Sequence, residues 1–146
     1  MRFKYRYKAT ANISCKKAEV WQTLTNLDDY PLWNPFTIKV ETDWKLDAPV
    51  LLTVQMKAGK KPIAQKEYLR ILEAPNQLGW GMNWGPFLKA LRTQVLREET
   101  DGSTTYTTED VIEGPLSPIV HKLYGMHIQA GFDAVATGLK KHLEVS

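Results

Sequence analysis

A single cysteine, Cys15, occurs in 146 residues, so no disulfide can close within the chain and nothing points to an oxidising compartment. No apolar run is long enough to cross a bilayer, and charges interrupt the first residues. The expected location is therefore cytoplasmic, without integral membrane insertion. Charge of one sign is not in large excess. A net charge of +3 does not call for a polyanion, and no nucleic-acid partner is expected. There is no internal repeat, low-complexity tract or linker, which leaves one domain over residues 1–146.

The usual constellations of chemistry are also missing. Ser14, Ser103, Ser117 and Ser146 occupy cap, turn or terminal positions, and none lies in a Gly-x-Ser-x-Gly setting. Cys15 has no histidine near it in sequence. His121, His127 and His142 are separated by six and fifteen residues, so no pair at helical i, i+4 spacing faces one metal ion. Gly79-Trp80-Gly81 lacks the following helix and Lys-Ser/Thr of a phosphate loop. No metal or cofactor is expected.

What the chain does have is aromatic bulk: five tryptophans, six tyrosines and four phenylalanines. A chain of this length buries about two-thirds of the surface its unfolded form exposes, enough for a large core or the wall of a cavity. Arg2, Lys4, Arg6 and Lys8 alternate with Phe3, Tyr5 and Tyr7, as on the solvent face of a half-buried strand over residues 2–13. Lys57, Lys60 and Lys61 surround Gly59 and Pro62 and mark a loop tip.

Ser14 stands where a helix N-cap belongs, and residues 17–25 have helical spacing with Val20, Trp21 and Leu24 on one stripe. A second short helical turn over residues 27–32 runs into Trp33-Asn34-Pro35-Phe36. Proline fixes φ at Pro35 and pushes Asn34 out of the helical region, so the helix stops there and a turn presents two rings. Alternating segments follow at 38–45, 50–56, 64–74, 78–84, 87–99 and 103–113, punctuated by Pro75-Asn76, Gly85-Pro86 and Thr100-Asp101-Gly102. After Gly114-Pro115-Leu116-Ser117-Pro118 there is no further proline. Val120, Tyr124, Ile128, Gly131, Val135, Leu139 and Leu143 then define one long amphipathic helix, with Ser117 as its N-cap. Strands clustered between helices argue an α+β fold with an antiparallel sheet.

This order resembles the START-like, or birch-pollen-allergen-like, helix-grip superfamily, and more narrowly the SRPBCC polyketide cyclase/dehydrase and lipid-transport group. The resemblance rests on four stretches. They are Ala18-Glu19-Val20-Trp21 through Trp33-Asn34-Pro35-Phe36, then Leu78-Gly79-Trp80, then Gly102-Ser103-Thr104-Thr105-Tyr106 with Asp110 and Gly114-Pro115-Leu116, and the last helix. It covers essentially the whole chain. It implies a curved seven-stranded antiparallel sheet wrapped around a long C-terminal helix, with two short helices after the first strand. One departure is Asp110, where the family often carries Glu.

The resemblance implies binding of a hydrophobic small molecule (a lipid, isoprenoid or polyketide-like compound) between sheet and helix, by a monomer or homodimer. Trp33, Phe36, Trp80, Met82, Tyr106 and Thr108 would form the turn and sheet walls. Tyr124, His127, Ile128 and Gly131 would form the helix wall, and Trp84 joins the same aromatic set. One alternative is a cyclase/dehydratase-like enzyme moving protons through Asp110, Tyr106 or His127. Another is a protein-interaction module with a filled interior. Asp110 shares strand parity with Tyr106 and Ile112, so it faces inward if they do, and a buried carboxylate needs a partner or a raised pKa. Arg92 and Arg70 are the partners considered, and strand parity leaves open whether Arg92 or Thr93 points in.

Overall fold

The computed structural model describes residues 3–144; Arg2 and Ser146 lie outside them. Alternating residues of Lys4–Ile13 (β1) bury Tyr7, Ala9 and Ile13 while their neighbours face solvent, as a half-buried strand must. Two short helices follow, Lys17–Thr25 (α1) and Tyr30–Trp33 (α2), joined by a 3-10 turn at Leu27–Asp29. The strands Thr37–Thr42 (β2), Pro49–Val54 (β3), Ile63–Glu73 (β4), Gln77–Asn83 (β5), Lys89–Glu98 (β6) and Thr104–Glu113 (β7) then lead to the helix Ser117–Glu144 (α3).

Ser14 does not cap α1. β1 runs to Ile13 and the Cys15 amide turns back to the Ile13 carbonyl at 2.8 Å; the helix spans residues 17–25 as its spacing predicts, but with Lys16 at the N-cap and no side-chain cap bond. The Ser14 amide instead donates to Glu144 at the far end of α3, at 2.9 Å. Ser117 is likewise no acceptor for helix amides: its hydroxyl donates back to the Gly114 carbonyl at 2.7 Å.

All neighbouring strands are antiparallel, in the order β1-β7-β6-β5-β4-β3-β2. The sheet is strongly curled. Arg92 on β6 reaches Thr37 on β2 at 3.2 Å, although four strand spacings separate them in the order. In a flat sheet that interval would be about 19 Å. A register shift between Leu69 and Ile71, opposite Gly79 and Trp80, supplies one bend. The 28-residue α3 lies in the curl and packs chiefly along β1.

The core is densest at the C-terminal half of α3, where Phe132, Val135, Ala136 and Leu139 meet Leu24, Tyr30, Trp33 and Phe36. Helix α2 and the turn after it approach α3 so closely that side chains are excluded. A Cβ on Gly131 would lie 2.2 Å from the Phe36 ring, and one on Gly138 would lie 2.1 Å from the Trp33 carbonyl oxygen.

Alanine normally favours a helix over glycine by about 1 kcal/mol. Here the clash should win. Gly138→Ala is expected to destabilise by about 1–3 kcal/mol, seen as a lower urea midpoint at unchanged slope; a neutral or raised midpoint would contradict this close approach.

Candidate functional site

The site is assembled from the turn after α2 inward. Asn34, 2% exposed, accepts from the Phe36 and Thr37 amides at 3.1 and 2.8 Å. That side-chain turn satisfies two buried donors and sets the Thr37 hydroxyl toward the interior. Across the curl, β6 turns Ala90, Arg92, Gln94 and Leu96 to the concave face and Thr93 to the other, resolving the parity question in favour of Arg92.

Arg92 is only 7% exposed. Its Nε donates to Thr108 Oγ1 and its Nη1 to Thr37 Oγ1, both at 3.2 Å. The guanidinium lies 4.7 Å from the centre of the Phe132 ring and 6.0 Å from that of Trp80, a cation–π setting in a desolvated place. Its Nη2 is buried and has no hydrogen-bond partner among the described residues.

Asp110 stands directly opposite Arg92 in the β6–β7 register, and among the described residues the two form no ion pair. Asp110 Oδ1 is also buried and without a partner. Arg70, the other arginine considered for it, binds Asp47 at 2.7 Å on the surface. Burial pushes the Asp110 carboxyl up from 3.8 to about 6, against the opposing pull of Arg92. Glu67, on β4, is pushed up from 4.5 to about 7, first by burial and then by the Asp110 charge, again opposed by Arg92. One cation and two carboxyls thus share one low-dielectric space with open bonding positions.

Around this cluster Tyr106 donates its hydroxyl to Gln94 Oε1, both groups fully enclosed, and burial raises the Tyr106 pKa. Tyr7 is raised by burial and then by Asp110. Its hydroxyl shares a 2.7 Å hydrogen bond with His121 Nδ1, whose ring stacks on Tyr5 at 4.1 Å.

The residues read from sequence divide into two sets. Trp33, Phe36, Trp80, Tyr106, Thr108, Ile128 and Gly131 are buried. Trp80 and Thr108 touch Arg92; Trp33 and Phe36 pack against α3, and the buried Trp33 Nε1 lacks a partner among the described residues. Met82, Tyr124 and His127 are only half-buried, with the Lys57 ammonium 5.7 Å from the Tyr124 ring. Trp84 departs from the set: β5 ends at Asn83, whose side chain accepts from the Gly85 amide, and Trp84 is 61% exposed on the loop. Sequence reading missed Glu67, Thr37, Gln94 and Phe132. Alternation at Arg92, Gln94 and Leu96 could have found Gln94, and parity with Leu69 could have found Glu67. Among the described residues no cluster of three or more His, Cys, Asp or Glu is arranged to hold a metal ion.

No protein-family profile matches the chain, and no curated protein matches it in sequence. Solved structures match it in fold. The di-domain aromatase/cyclase BexL of the BE-7585A biosynthetic pathway superposes with a TM-score of 0.76 at 11% identity, over 98% of this chain and 51% of that one. A START superfamily protein from Mycobacterium smegmatis gives 0.70 at 16% identity, over 95% and 97%. Truncated norcoclaurine synthase from Thalictrum flavum gives 0.71 at 14% identity, over 99% and 96%. The chain therefore has the helix-grip fold of these proteins.

The buried carboxyls make stability depend on pH. Because folding raises both pKa values, the native state holds protons that the unfolded chain has already released. Their stabilising effect is complete below about pH 4 and is lost as pH rises through about 6 and 7. Asp110→Asn and Glu67→Gln are each expected to flatten the fall in melting temperature between pH 5 and 8, with thermal denaturation across that range as the check. An unchanged profile would show that neither carboxyl titrates in the interior.

Proposed function

We propose that the protein binds an amphipathic small molecule inside the grip, its oxygen-bearing end on Arg92 and its apolar body along Trp80, Phe132 and Ile128. The observation that carries this reading is the buried Arg92 guanidinium with Nη2 left free. A desolvated cation is costly unless paired, and Asp110, opposite it in the register, forms no ion pair with it. A ligand carboxylate, enolate or phenolate would complete the guanidinium's bonds, while rings and aliphatic side chains supply the apolar contact usual in such sites. The half-buried Met82, Tyr124 and His127 then form the way in. The fold neighbours support the reading in kind, because they include an aromatase/cyclase and a START superfamily protein.

A second reading draws on Asp110 and Glu67. Carboxyls with pKa values near 6 and 7 can take and return protons at neutral pH, and a guanidinium beside them stabilises an enolate. That is the equipment of a cyclisation or dehydration of a polyketide-like chain.

Native mass spectrometry of protein purified without denaturation should show a bound species of defined mass, released on unfolding. Arg92→Met should keep cooperative unfolding, since the replacement fills the same space. It should bind dodecanoate about tenfold to a hundredfold more weakly, the worth of a charge-assisted hydrogen bond. Equal dodecanoate affinity in the two proteins would remove Arg92 from the site. For the catalytic reading, Asp110→Asn should abolish turnover of a polyketide-like substrate and spare its binding; an unchanged rate would exclude that role.

A further inference from the structure

We propose that the open end of the grip is a docking surface for an anionic lipid bilayer. Leu116, Ile119, Leu123 and Met126 recur every three or four residues, so they form one side of the start of α3. They are 36, 57, 55 and 86% exposed, whereas the stripe that α3 buries runs through Ile128, Phe132, Val135 and Leu139. At the start of this side, the Leu116 amide donates to the Phe87 carbonyl at 3.1 Å, tying the β5–β6 loop to the helix. That loop carries Trp84 and Phe87, 61 and 58% exposed. The Gly114 amide donates to the Phe3 carbonyl at 3.0 Å, and a hollow of about 490 Å³ lies among Phe3, Pro86, Leu88, Lys89, Glu113 and Pro115, its one acid, Glu113, standing opposite Lys89 in the β6–β7 register. Single exposed leucines are ordinary; large apolar side chains gathered on segments bonded to one another mark a contact surface.

Charge identifies the partner. Residues 55–66, 74–97 and 114–132 contain no aspartate or glutamate. They present Lys57, Lys60, Lys61, Lys89 and Lys122, all exposed. Lys57 lies over Tyr124, the residue after Leu123, so the β3–β4 loop and its lysines join the same end. A second copy docked face to face would set lysine against lysine. An anionic headgroup layer suits both features, because lysines meet phosphates while Trp84, Phe87 and the helix residues enter the acyl boundary. The half-buried Tyr124 adjoins this surface under Lys57, so a docked protein would turn that end of the grip toward the bilayer.

Co-sedimentation with vesicles tests this directly. Binding should be weak on pure phosphatidylcholine, strong when phosphatidylserine is added, and reduced as salt rises. The double variant Trp84→Ala/Phe87→Ser should lose about tenfold or more of that binding, and Ile119→Ser/Leu123→Ser, on a different element, should do the same. Both pairs are exposed, and retained circular dichroism confirms folding. Arg92→Met should bind vesicles as the parent does, which separates this surface from the interior site. Failure of the folded parent to bind phosphatidylserine vesicles, or full binding by both double variants, would overturn the proposal. So would self-association abolished by Phe87→Ser, or retention on polyglutamate without retention on vesicles, either of which reassigns the face.

Discussion

The Arg92 guanidinium, held between Thr108 and Thr37 and stacked on Phe132, is the interaction on which the arrangement of the interior depends. It bridges β6 and β7 to the distant β2 edge across the curl of the sheet. The same burial that makes the charge costly sharpens its fields on Asp110 and Glu67, whose carboxyls are nevertheless lifted because desolvation outweighs attraction at this separation. A closed ion pair would have neutralised the cluster. Instead Asp110 stands across the register without bonding, and one guanidinium nitrogen has no hydrogen-bond partner among the described residues.

The molecule has two unlike ends. Around the C-terminal half of α3, close backbone approach at Gly131 and Gly138 and the rings of Trp33, Phe36 and Phe132 fill the space. Packing there is dense enough that a single added methyl must displace a neighbour. Around the N-terminal half, Met82, Tyr124 and His127 are half-buried, and Ile119, Leu123 and Met126 on the helix are exposed. For the proposed interior site, the filled end would hold the guest's surroundings in place and the half-buried end would be its way in.

Much of this architecture was legible in the sequence. Period-two alternation in Tyr5, Tyr7, Ala9 and in Val50, Leu52, Val54 follows from the pleat, and the three-or-four spacing of Ile128, Val135 and Leu139 follows from helix geometry. Strand ends were less accurate: Trp84 continued an alternating pattern, yet the Asn83 side chain turns the chain first. Ser14 looked like a cap, but the strand ran up to it and the cap position of the 17–25 helix fell to Lys16. In both places a local hydrogen bond decided the boundary, and pattern alone does not rank such bonds.

The candidate site was legible only in part. Asp110 and Trp80 could be placed on the inner face from parity, and Arg92 was one of two choices. Glu67 shares parity with the buried Leu69, ahead of the register shift between Leu69 and Ile71, but that parity does not say which charges lie beside it. By itself the sequence determined the order of elements, the antiparallel sheet and the long last helix, because each rests on a periodicity of adjacent residues. Tertiary structure alone decided that Arg92, Thr37 and Phe132 share one buried space, and that Asp110 stops short of pairing with the cation. Those relations join residues far apart in the chain, and their distances are set by how tightly the sheet curls.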